Sequence, residues 1–399
     1  MNFFLLVNII GILVFIGVAF LFSKDKKNVN WKTISILVIF NLFLVWLLTA
    51  FSGGRWFIGQ VAKAFTWLID TAFSGIGFAF ASMVHVENMD VVFSALMPIL
   101  LVVPLFDILT YLGVLPKIIK ALGWGLSKLT GQPKFEAFYA IEMMFLGNTE
   151  ALAVSGGQLK SMSQQRLFTI SLMSMSSVSA AMIGVYTTML PAEFVLTAIP
   201  LNIINAIIVT SILNPVVIPK EEDVIFEMKK EDKPPFFSFL GDSILGAGKL
   251  ILIITAMLIA FVSLAALIDK LLMLIAPWLT LSSILGTIMT PFSLLLGLSF
   301  SEAFQAAQYM STKLVTNEFV VMIDIMPIMD TFSPHMKAVL CTFLVSFANF
   351  STVGMILGCF KGIVSKEKSD NLSKGVWMMI ISGTLVSLLS AGFVGLFVW

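Results

Sequence analysis

Long stretches without charged residues alternate with short polar segments along most of this chain. A helix needs about 20 apolar residues to cross the hydrocarbon core of a bilayer. Eight stretches are close to that length, and only Asp107 interrupts one of them: residues 3–23, 33–54, 91–112, 167–192, 194–219, 250–268, 338–360 and 375–399. The pattern predicts an all-α polytopic membrane protein with about eight transmembrane helices.

Three other regions do not fit a simple spanning helix. Residues 56–84 are mixed and aromatic, which predicts an interfacial helix. Residues 135–159 are apolar but carry three glutamates and an asparagine. Residues 271–301 are uncharged but broken by Pro277 and Pro291, and residues 302–326 add polar side chains. Irregular backbone at membrane depth is tolerated where protein or a wet cavity covers it, so we expect two opposed re-entrant hairpins in these regions.

Composition supports a membrane protein and excludes several other classes. Of the 399 residues, 58% are hydrophobic and 12% charged, whereas soluble domains carry about 25% charged residues. A net charge of +1 without a basic, aromatic motif argues against nucleic-acid binding. Two cysteines in one apolar segment and two distant histidines, His85 and His335, predict neither a disulfide framework nor a metal or cofactor site. No Walker phosphate loop occurs, so ATP-driven transport is not expected.

The basic residues predict the orientation in the bilayer, because cytoplasmic loops are enriched in Lys and Arg. With the N-terminus outside, all but five of the 24 basic residues lie on the cytoplasmic side, and those five are Arg55, Lys63, Lys270, Lys313 and Lys337. Residues 3–22 lack the charged leader and cleavage site of a signal peptide, so they are predicted to be the first spanning helix. We therefore expect a multi-pass protein with both termini outside.

Two polar units repeat along the chain. Residues 172–179 and 344–351 share Leu, Ser and Ser at the same offsets, and both lie within long apolar stretches. A polar acidic cluster precedes each unit: Gly147-Asn148-Thr149-Glu150 and Thr316-Asn317-Glu318-Phe319. Polar groups at membrane depth are costly unless they face a partner or a wet cavity. Secondary transporters build substrate sites from such duplicated, interrupted units, so the pattern predicts an inverted-repeat transporter for a polar solute.

Residues within these units differ in how strongly they indicate binding. Serines in membrane helices more often bond to their own helix or allow close packing, so each serine is interpreted as structural. Asn349 places a full amide in an apolar stretch and, with Thr352 nearby, predicts an unwound segment. Phe347 either stacks on a planar ring or packs in the core. Glu142 and Glu302 rank below the clusters, as contacts within the helix bundle or as residues at the membrane interface.

At these residues the chain resembles the concentrative nucleoside transporter family over essentially its whole length. The segment Gly147-Asn148-Thr149-Glu150 is similar to the family's Gly-Gln-Thr/Ser-Glu hairpin motif. Residues 313–320 and 346–351 resemble its Lys-x3-Asn-Glu-Phe-Val and Phe-Ala-Asn signatures. The Gly-Asn-Thr-Glu form, with residues 151–154 and 173–177, resembles the bacterial branch associated with purine nucleosides.

The resemblance implies a homotrimer in a bacterial inner membrane that imports nucleosides and is not an enzyme. Each chain would contain a scaffold domain and a mobile transport domain. Residues 1–115 would be mainly scaffold helices, and residues 240–270 a further scaffold helix. Residues 116–239 would hold the first hairpin and broken helix of the transport domain. Residues 271–399 would hold the second hairpin, the second broken helix and the last helix.

The resemblance also implies which residues contact the nucleobase. Asn148, Thr149 and Glu150 match the family's base-binding positions, and Met182 on the first broken helix is a further candidate for base selection. Amide, hydroxyl and carboxylate groups together offer donors and acceptors to a ligand with mixed hydrogen-bonding edges. Asn148 stands where the family usually has Gln, which shortens the reach toward the base.

A second set of residues would bind the sugar. By resemblance, Glu318, Asn349 and Thr352 bind the ribose hydroxyls, and Phe347 lines the same pocket. Carboxylate and amide groups suit a cis-diol. A site that pairs substrate hydroxyls strongly rejects analogues that lack them.

The coupling ion is predicted from a departure from the family pattern. Sodium-coupled members place Asn four residues before the motif glycine, where this chain has Met143. A thioether is a poor ligand for a hard cation, and Ser177 and the Val178 carbonyl at the other ligand positions are too few. The chain is therefore predicted to use protons. A buried carboxyl group holds its proton more readily, so Glu150 and Glu318 are the candidate carriers, and Glu150 is favoured.

Other functions remain open from the sequence alone. A sodium-coupled or pyrimidine-preferring nucleoside symporter is the nearest alternative. An intramembrane enzyme would need a serine–histidine pair or a known catalytic motif, and no HExxH or GxSxG segment occurs. A passive channel needs a continuous pore, whereas opposed hairpins suit alternating access.

Overall fold

The computed structural model describes residues 3–84, 86, 89–219, 222–225 and 234–399, and the regular elements in these ranges are helices. His85 and most of the predicted cytoplasmic loop 219–235 lie outside the described residues. The first half of the chain forms α1 (Phe3–Leu21), α2 (Trp31–Val45), α3 (Ser52–Ala79), α4 (Ala81–Val84), α5 (Ile99–Tyr111), α6 (Val114–Thr130), α7 (Lys134–Leu146), α8 (Asn148–Val154), α9 (Gly156–Ser161), α10 (Gln164–Met173), α11 (Ile183–Met189) and α12 (Ala192–Leu213).

The second half continues with eight helices: α13 (Phe236–Met273), α14 (Leu281–Leu294), α15 (Phe300–Val315), α16 (Glu318–Ile325), α17 (Pro334–Leu344), α18 (Phe350–Ile363), α19 (Lys366–Ser373) and α20 (Val376–Gly395). Short π-helical segments extend α2 to Ala50 and precede α5 from Val92. The predicted interfacial helix of residues 56–84 corresponds to α3 and the short α4.

The predicted spans appear in two forms. Six helices within the described residues are long and apolar enough to cross a membrane: α1, α2 and α5 with their π-helical segments, α12, α13 and α20. The other two predicted spans are interrupted. α10 ends at Met173 and helical backbone resumes at Ala180, while α17 ends at Leu344 and α18 begins at Phe350. Both interruptions fall in the repeated polar units, which confirms the predicted all-α architecture with two broken helices.

Two helical hairpins lie beside the broken helices. In hairpin 1, formed by α7 and the α8–α9 pair, the chain turns at Gly147, whose φ of 94° is readily adopted only by glycine. The Ser155 hydroxyl on the returning arm donates to Glu142 Oε2 at 2.7 Å, so the two arms lie side by side. Hairpin 2 is formed by α15 and α16, and Ser333 Oγ donates to Glu302 Oε1 at 2.5 Å across its base.

Two boundaries differ from the sequence prediction. α13 begins at Phe236, well before the predicted span 250–268, because the charged side chains of Asp242 and Lys249 are exposed and do not interrupt the helix. Pro291 lies inside α14 rather than ending a helix, since helices at membrane depth tolerate proline where neighbouring groups satisfy the freed backbone carbonyl. α14 packs along α15 as an additional helix outside hairpin 2.

The centre of the bundle is formed by α12 and α20, both largely buried, whereas α13 buries only Ser243, Ala247 and Ile251. A chain of amides and hydroxyls runs through this centre. Asn41 Nδ2 donates to Asn205 Oδ1 at 2.8 Å, and Asn205 Nδ2 donates to the Ser390 hydroxyl at 2.9 Å. Ser390 donates to Asn202 Oδ1, and Asn202 in turn donates to the Val345 carbonyl. These bonds fix the interruption between α17 and α18 against the core.

Candidate substrate-binding site

One cleft lies where both hairpin tips meet the interruptions of both broken helices. It contains about 740 Å³ of empty space, including its open mouth. One face of α13 closes it with four apolar side chains: Leu250, Ile253, Ile254 and Met257. The structure brings all eight predicted substrate-binding residues to its walls: Asn148, Thr149, Glu150, Met182, Glu318, Phe347, Asn349 and Thr352.

Glu318, at the tip of hairpin 2, joins three elements. Its side chain is 2% exposed. Oε1 accepts a hydrogen bond from the Tyr186 hydroxyl of α11 at 2.8 Å, and Oε2 accepts one from Asn349 Nδ2 at 3.2 Å. The carboxylate is therefore held in place before any ligand arrives, and each of its oxygens retains capacity to accept from a substrate hydroxyl.

Asn349 occupies the N-cap of α18. Its Oδ1 accepts from the backbone N–H of Thr352 at 2.8 Å and from the Thr352 hydroxyl at 3.0 Å, as expected for an N-cap asparagine. Because its Nδ2 bonds to Glu318, one side chain both starts the helix and orients the carboxylate. Glu318, Asn349 and Thr352 thus form one rigid polar group at the second interruption.

The tip of hairpin 1 contacts the first interruption. Asn148 Nδ2 donates to the Ser174 carbonyl at 3.2 Å, and its Oδ1 accepts from the Thr149 backbone N–H at 2.8 Å. Thr149 Oγ1 donates to Glu150 Oε2 at 2.7 Å. Glu150 lines the cleft and is exposed, whereas its prediction as a proton carrier assumed a buried carboxyl group.

Apolar and aromatic groups form the remaining walls. Phe347 is half-buried, Met182 and Phe319 are buried, and the Phe319 ring meets the Tyr186 ring edge-on at 5.5 Å. Apolar walls with a few polar groups are the usual lining of a small-molecule site.

Sequence reasoning missed Tyr186 and misassigned Lys313. Tyr186 follows the first interruption by about one turn, and that position within a broken helix was the available signal. Lys313 was counted among the basic residues outside the membrane, but its side chain is fully buried. Its Nζ donates to the Phe343 carbonyl and to the Ser346 hydroxyl, both at 2.6 Å. Lys313 therefore carries no information about orientation.

Met143 places a thioether sulfur at the position that, by resemblance, would supply an oxygen ligand to sodium. Met143 is fully buried, and the Ser177 hydroxyl lies 3.5 Å from its Sδ.

His335 lies in a packed environment away from the cleft residues. Its ring stacks on Trp399 at 3.9 Å, and its two ring nitrogens contact the Val398 and Leu296 carbonyls. In the described part of the chain, no cluster of three or more His, Cys, Asp or Glu residues could hold a metal ion.

Family profiles match three consecutive parts of the chain. Residues 10–83 match the N-terminal part of the Na+ dependent nucleoside transporters, residues 92–193 a nucleoside recognition domain, and residues 194–395 the C-terminal part of the same transporters. The purine nucleoside transport protein NupG of Bacillus subtilis is 46% identical over 99% of this chain and its own full length. The nucleoside permease NupC of Helicobacter pylori is 27% identical over 98% of both chains.

Solved structures of the transporter CNTnw share the fold. An inward-facing, substrate-bound state and an outward-facing variant each give a TM-score of 0.92 at 24% identity, over at least 98% of both chains. Both matches establish the fold of the chain. The profile matches and the similarity to NupG confirm the predicted resemblance: the chain belongs to the concentrative nucleoside transporter family, and it is a transporter rather than an enzyme.

Proposed function

We propose that this protein is a secondary active symporter that imports purine nucleosides into a bacterial cell with the energy of the proton gradient. The observation that carries the proposal is the cleft itself, which is lined by a fixed carboxylate–amide pair and by the polar tip of hairpin 1. Both groups are preorganised, so binding needs little rearrangement of the polar residues.

In this proposal the two ends of the cleft recognise different parts of the nucleoside. Glu318, Asn349 and Thr352 bind the ribose hydroxyls, with Phe347 against the sugar and the base. The base lies toward hairpin 1, where Asn148, Thr149 and Glu150 offer donors and acceptors, and Met182 limits its size. Support comes from the match to the family signatures and from the positions of these side chains around one cavity.

Purine preference is proposed from Asn148 and from the similarity to a relative named for purine nucleoside transport. Asn is one methylene shorter than the family's usual Gln and leaves more room for a two-ring base. An Asn148→Gln variant should lower the ratio of inosine uptake to uridine uptake, by up to about tenfold. Competition between the two labelled nucleosides in vesicles measures this ratio, and an unchanged ratio would move base selection elsewhere, with Met182 as the next candidate.

Proton coupling is proposed from the buried contact between Met143 and Ser177. Although the family description names sodium, the thioether offers sodium no hard oxygen ligand. Glu150 and Glu318 are the candidate proton carriers within the cleft. Glu150 is the better candidate, because Glu318 is engaged by Tyr186 and Asn349.

A single substitution tests whether Met143 is the reason that this protein would not need sodium. Met143→Asn returns an amide oxygen beside the Ser177 hydroxyl and the Val178 carbonyl, so sodium should then stimulate nucleoside uptake at least several-fold. Met143→Leu, which keeps an apolar side chain and adds no oxygen, is the matched control and should show no response. Equal sodium responses in the wild type and both variants would contradict the explanation.

The wider arrangement is also part of the proposal. We infer a homotrimer with both termini outside the cell membrane, supported by the family resemblance and by the distribution of basic residues after Lys313 is set aside. The scaffold would comprise residues 1–115 and 240–270. Residues 116–239 and 271–399 would form the transport domain, which contains both hairpins and both broken helices.

A further inference from the structure

Hairpin 1 encloses two buried carboxyl groups with different partners. Glu136 receives a paired bond from Arg166, with Nε 2.8 Å from Oε1 and Nη2 3.0 Å from Oε2. Glu142 lies almost two helical turns farther along α7 and is 2% exposed. Its partner is the hydroxyl of Ser155, 2.7 Å from Oε2. Within the described residues, Glu142 forms no ion pair.

Among the residues that the structure describes, the groups around Glu142 supply no compensating positive charge. Tyr139, one turn earlier on α7, bonds to the Ser174 hydroxyl, and the other titratable groups nearby are Cys359 and Glu150. α12 also packs against α7 and carries Glu193 in its first turn, where the side chain is exposed. The lysines of the neighbouring helices α6, α9 and α18 are exposed: Lys117, Lys120, Lys128, Lys160 and Lys361.

This contrast favours a protonated Glu142. An ionised carboxylate without a cation is costly at membrane depth, whereas a protonated one is neutral and keeps its bond to Ser155. We propose that the transported proton binds Glu142, outside the substrate cleft, rather than the exposed Glu150 of the cleft, and that its occupancy lets hairpin 1 move between the two faces of the membrane. The inference rests on the proton-coupled transport proposed above.

The position of Glu142 connects its proton to the substrate. The Glu142–Ser155 bond joins the two arms of the hairpin whose tip, residues 147–150, lines the cleft. On the same turn of α7, Met143 contacts Ser177 in the first interruption. An ionised Glu142 draws water between the arms and displaces the tip, so the occluded site forms only when the group is neutral.

Each proton that binds Glu142 on one side of the membrane is released on the other. On the side of high proton activity, a hydrated proton is transferred to a carboxylate oxygen of Glu142 and an O–H bond forms. After the hairpin faces the other side, that O–H bond breaks and the proton passes to water. The carboxylate is regenerated, and one proton has crossed with the nucleoside.

The test separates exchange from proton-driven accumulation in sodium-free vesicles. Glu142→Gln keeps the size of the side chain and an oxygen for Ser155 but cannot release a proton. The variant should exchange internal for external inosine within about twofold of wild type. Its accumulation driven by a pH gradient should fall at least tenfold, and a pH-sensitive dye should record no inosine-dependent proton entry. The matched control is Glu302→Gln. It replaces a carboxyl group of hairpin 2 that accepts hydrogen bonds from Ser299 and Ser333, and this variant should retain both activities.

Each other outcome counts against a specific claim. Proton-driven accumulation by Glu142→Gln would overturn this assignment, and a loss seen only in Glu150→Gln would place the proton in the cleft instead. A wild-type protein that ignores the pH gradient would overturn proton coupling itself, and this site with it. If Glu142→Gln does not fold, Ser155→Ala provides the test. Without this hydrogen-bond donor the carboxylate is less stable and Glu142 holds its proton more readily, so the pH of half-maximal uptake should rise. An unchanged pH profile in that variant would contradict the proposal.

Discussion

A Glu318→Gln variant should lose nucleoside uptake while the protein still folds. The substitution keeps the size of the side chain but replaces a charged acceptor of two hydrogen bonds, from Tyr186 and Asn349, by a neutral amide. A hydrogen bond to a charged group contributes about 1.5–3 kcal/mol, which corresponds to about a tenfold to hundredfold loss of affinity for each sugar hydroxyl released. Binding of labelled inosine to the purified protein measures the loss directly.

Asn349→Ala should give a comparable loss, because it removes the amide that orients Glu318 and also the N-cap of α18. The matched control is Asp324→Asn, which neutralises an exposed carboxylate on the same helix as Glu318 and should bind inosine as the wild type does. Wild-type affinity in purified Glu318→Gln or Asn349→Ala would refute the assignment of the ribose site.

The second large effect is expected at Lys313. Its buried ammonium group holds the Phe343 carbonyl and the Ser346 hydroxyl, and the buried carboxylate of Glu318 lies at the tip of the same hairpin. Lys313→Met removes the buried donor to the Phe343 carbonyl and the Ser346 hydroxyl, and depriving a buried polar group of its partner costs about 1–3 kcal/mol. Thermal unfolding in detergent should therefore show a clear loss of stability, together with loss of uptake.

A double variant shows whether the two charges act together. Residues whose charges interact give non-additive effects, so Lys313→Met combined with Glu318→Gln should unfold at a higher temperature than Lys313→Met alone. Lys337→Met is the matched control, since Lys337 pairs with the exposed Asp330 at 3.2 Å and exposed pairs contribute about 1 kcal/mol or less. Additive effects of Lys313→Met and Glu318→Gln would contradict electrostatic compensation at this site.

Much of the fold follows from the hydrophobic pattern, because a bilayer demands long apolar helices and makes each polar interruption visible. The two interruptions were predicted in this way from residues 172–179 and 344–351. Helix ends were harder to predict. α13 continues through Asp242 and Lys249 because charged side chains can point away from the packed face, and Pro291 fits within α14 at the loss of one backbone bond.

The residues of the candidate site were predicted through the family resemblance. Each signature is a short run of neighbouring residues, so it can be recognised in the sequence even when the elements that carry the different signatures are far apart. The hydrogen-bond partners of these residues were not predicted. Tyr186 and Glu318 are separated by 132 positions, and no local pattern shows that a phenol on one broken helix reaches a carboxylate on the opposite hairpin. Lys313 was placed outside for a similar reason, since a charge count cannot distinguish a solvated lysine from one held by carbonyl and hydroxyl groups.

Uptake of labelled inosine into vesicles, with pH and sodium gradients imposed separately, tests proton-coupled nucleoside import most directly. The protein is reconstituted alone, and protein-free vesicles give the background. An inward proton gradient without sodium should drive inosine above its external concentration, and a sodium gradient at equal pH should give only equilibration. Accumulation that requires sodium and ignores the pH gradient would contradict the account.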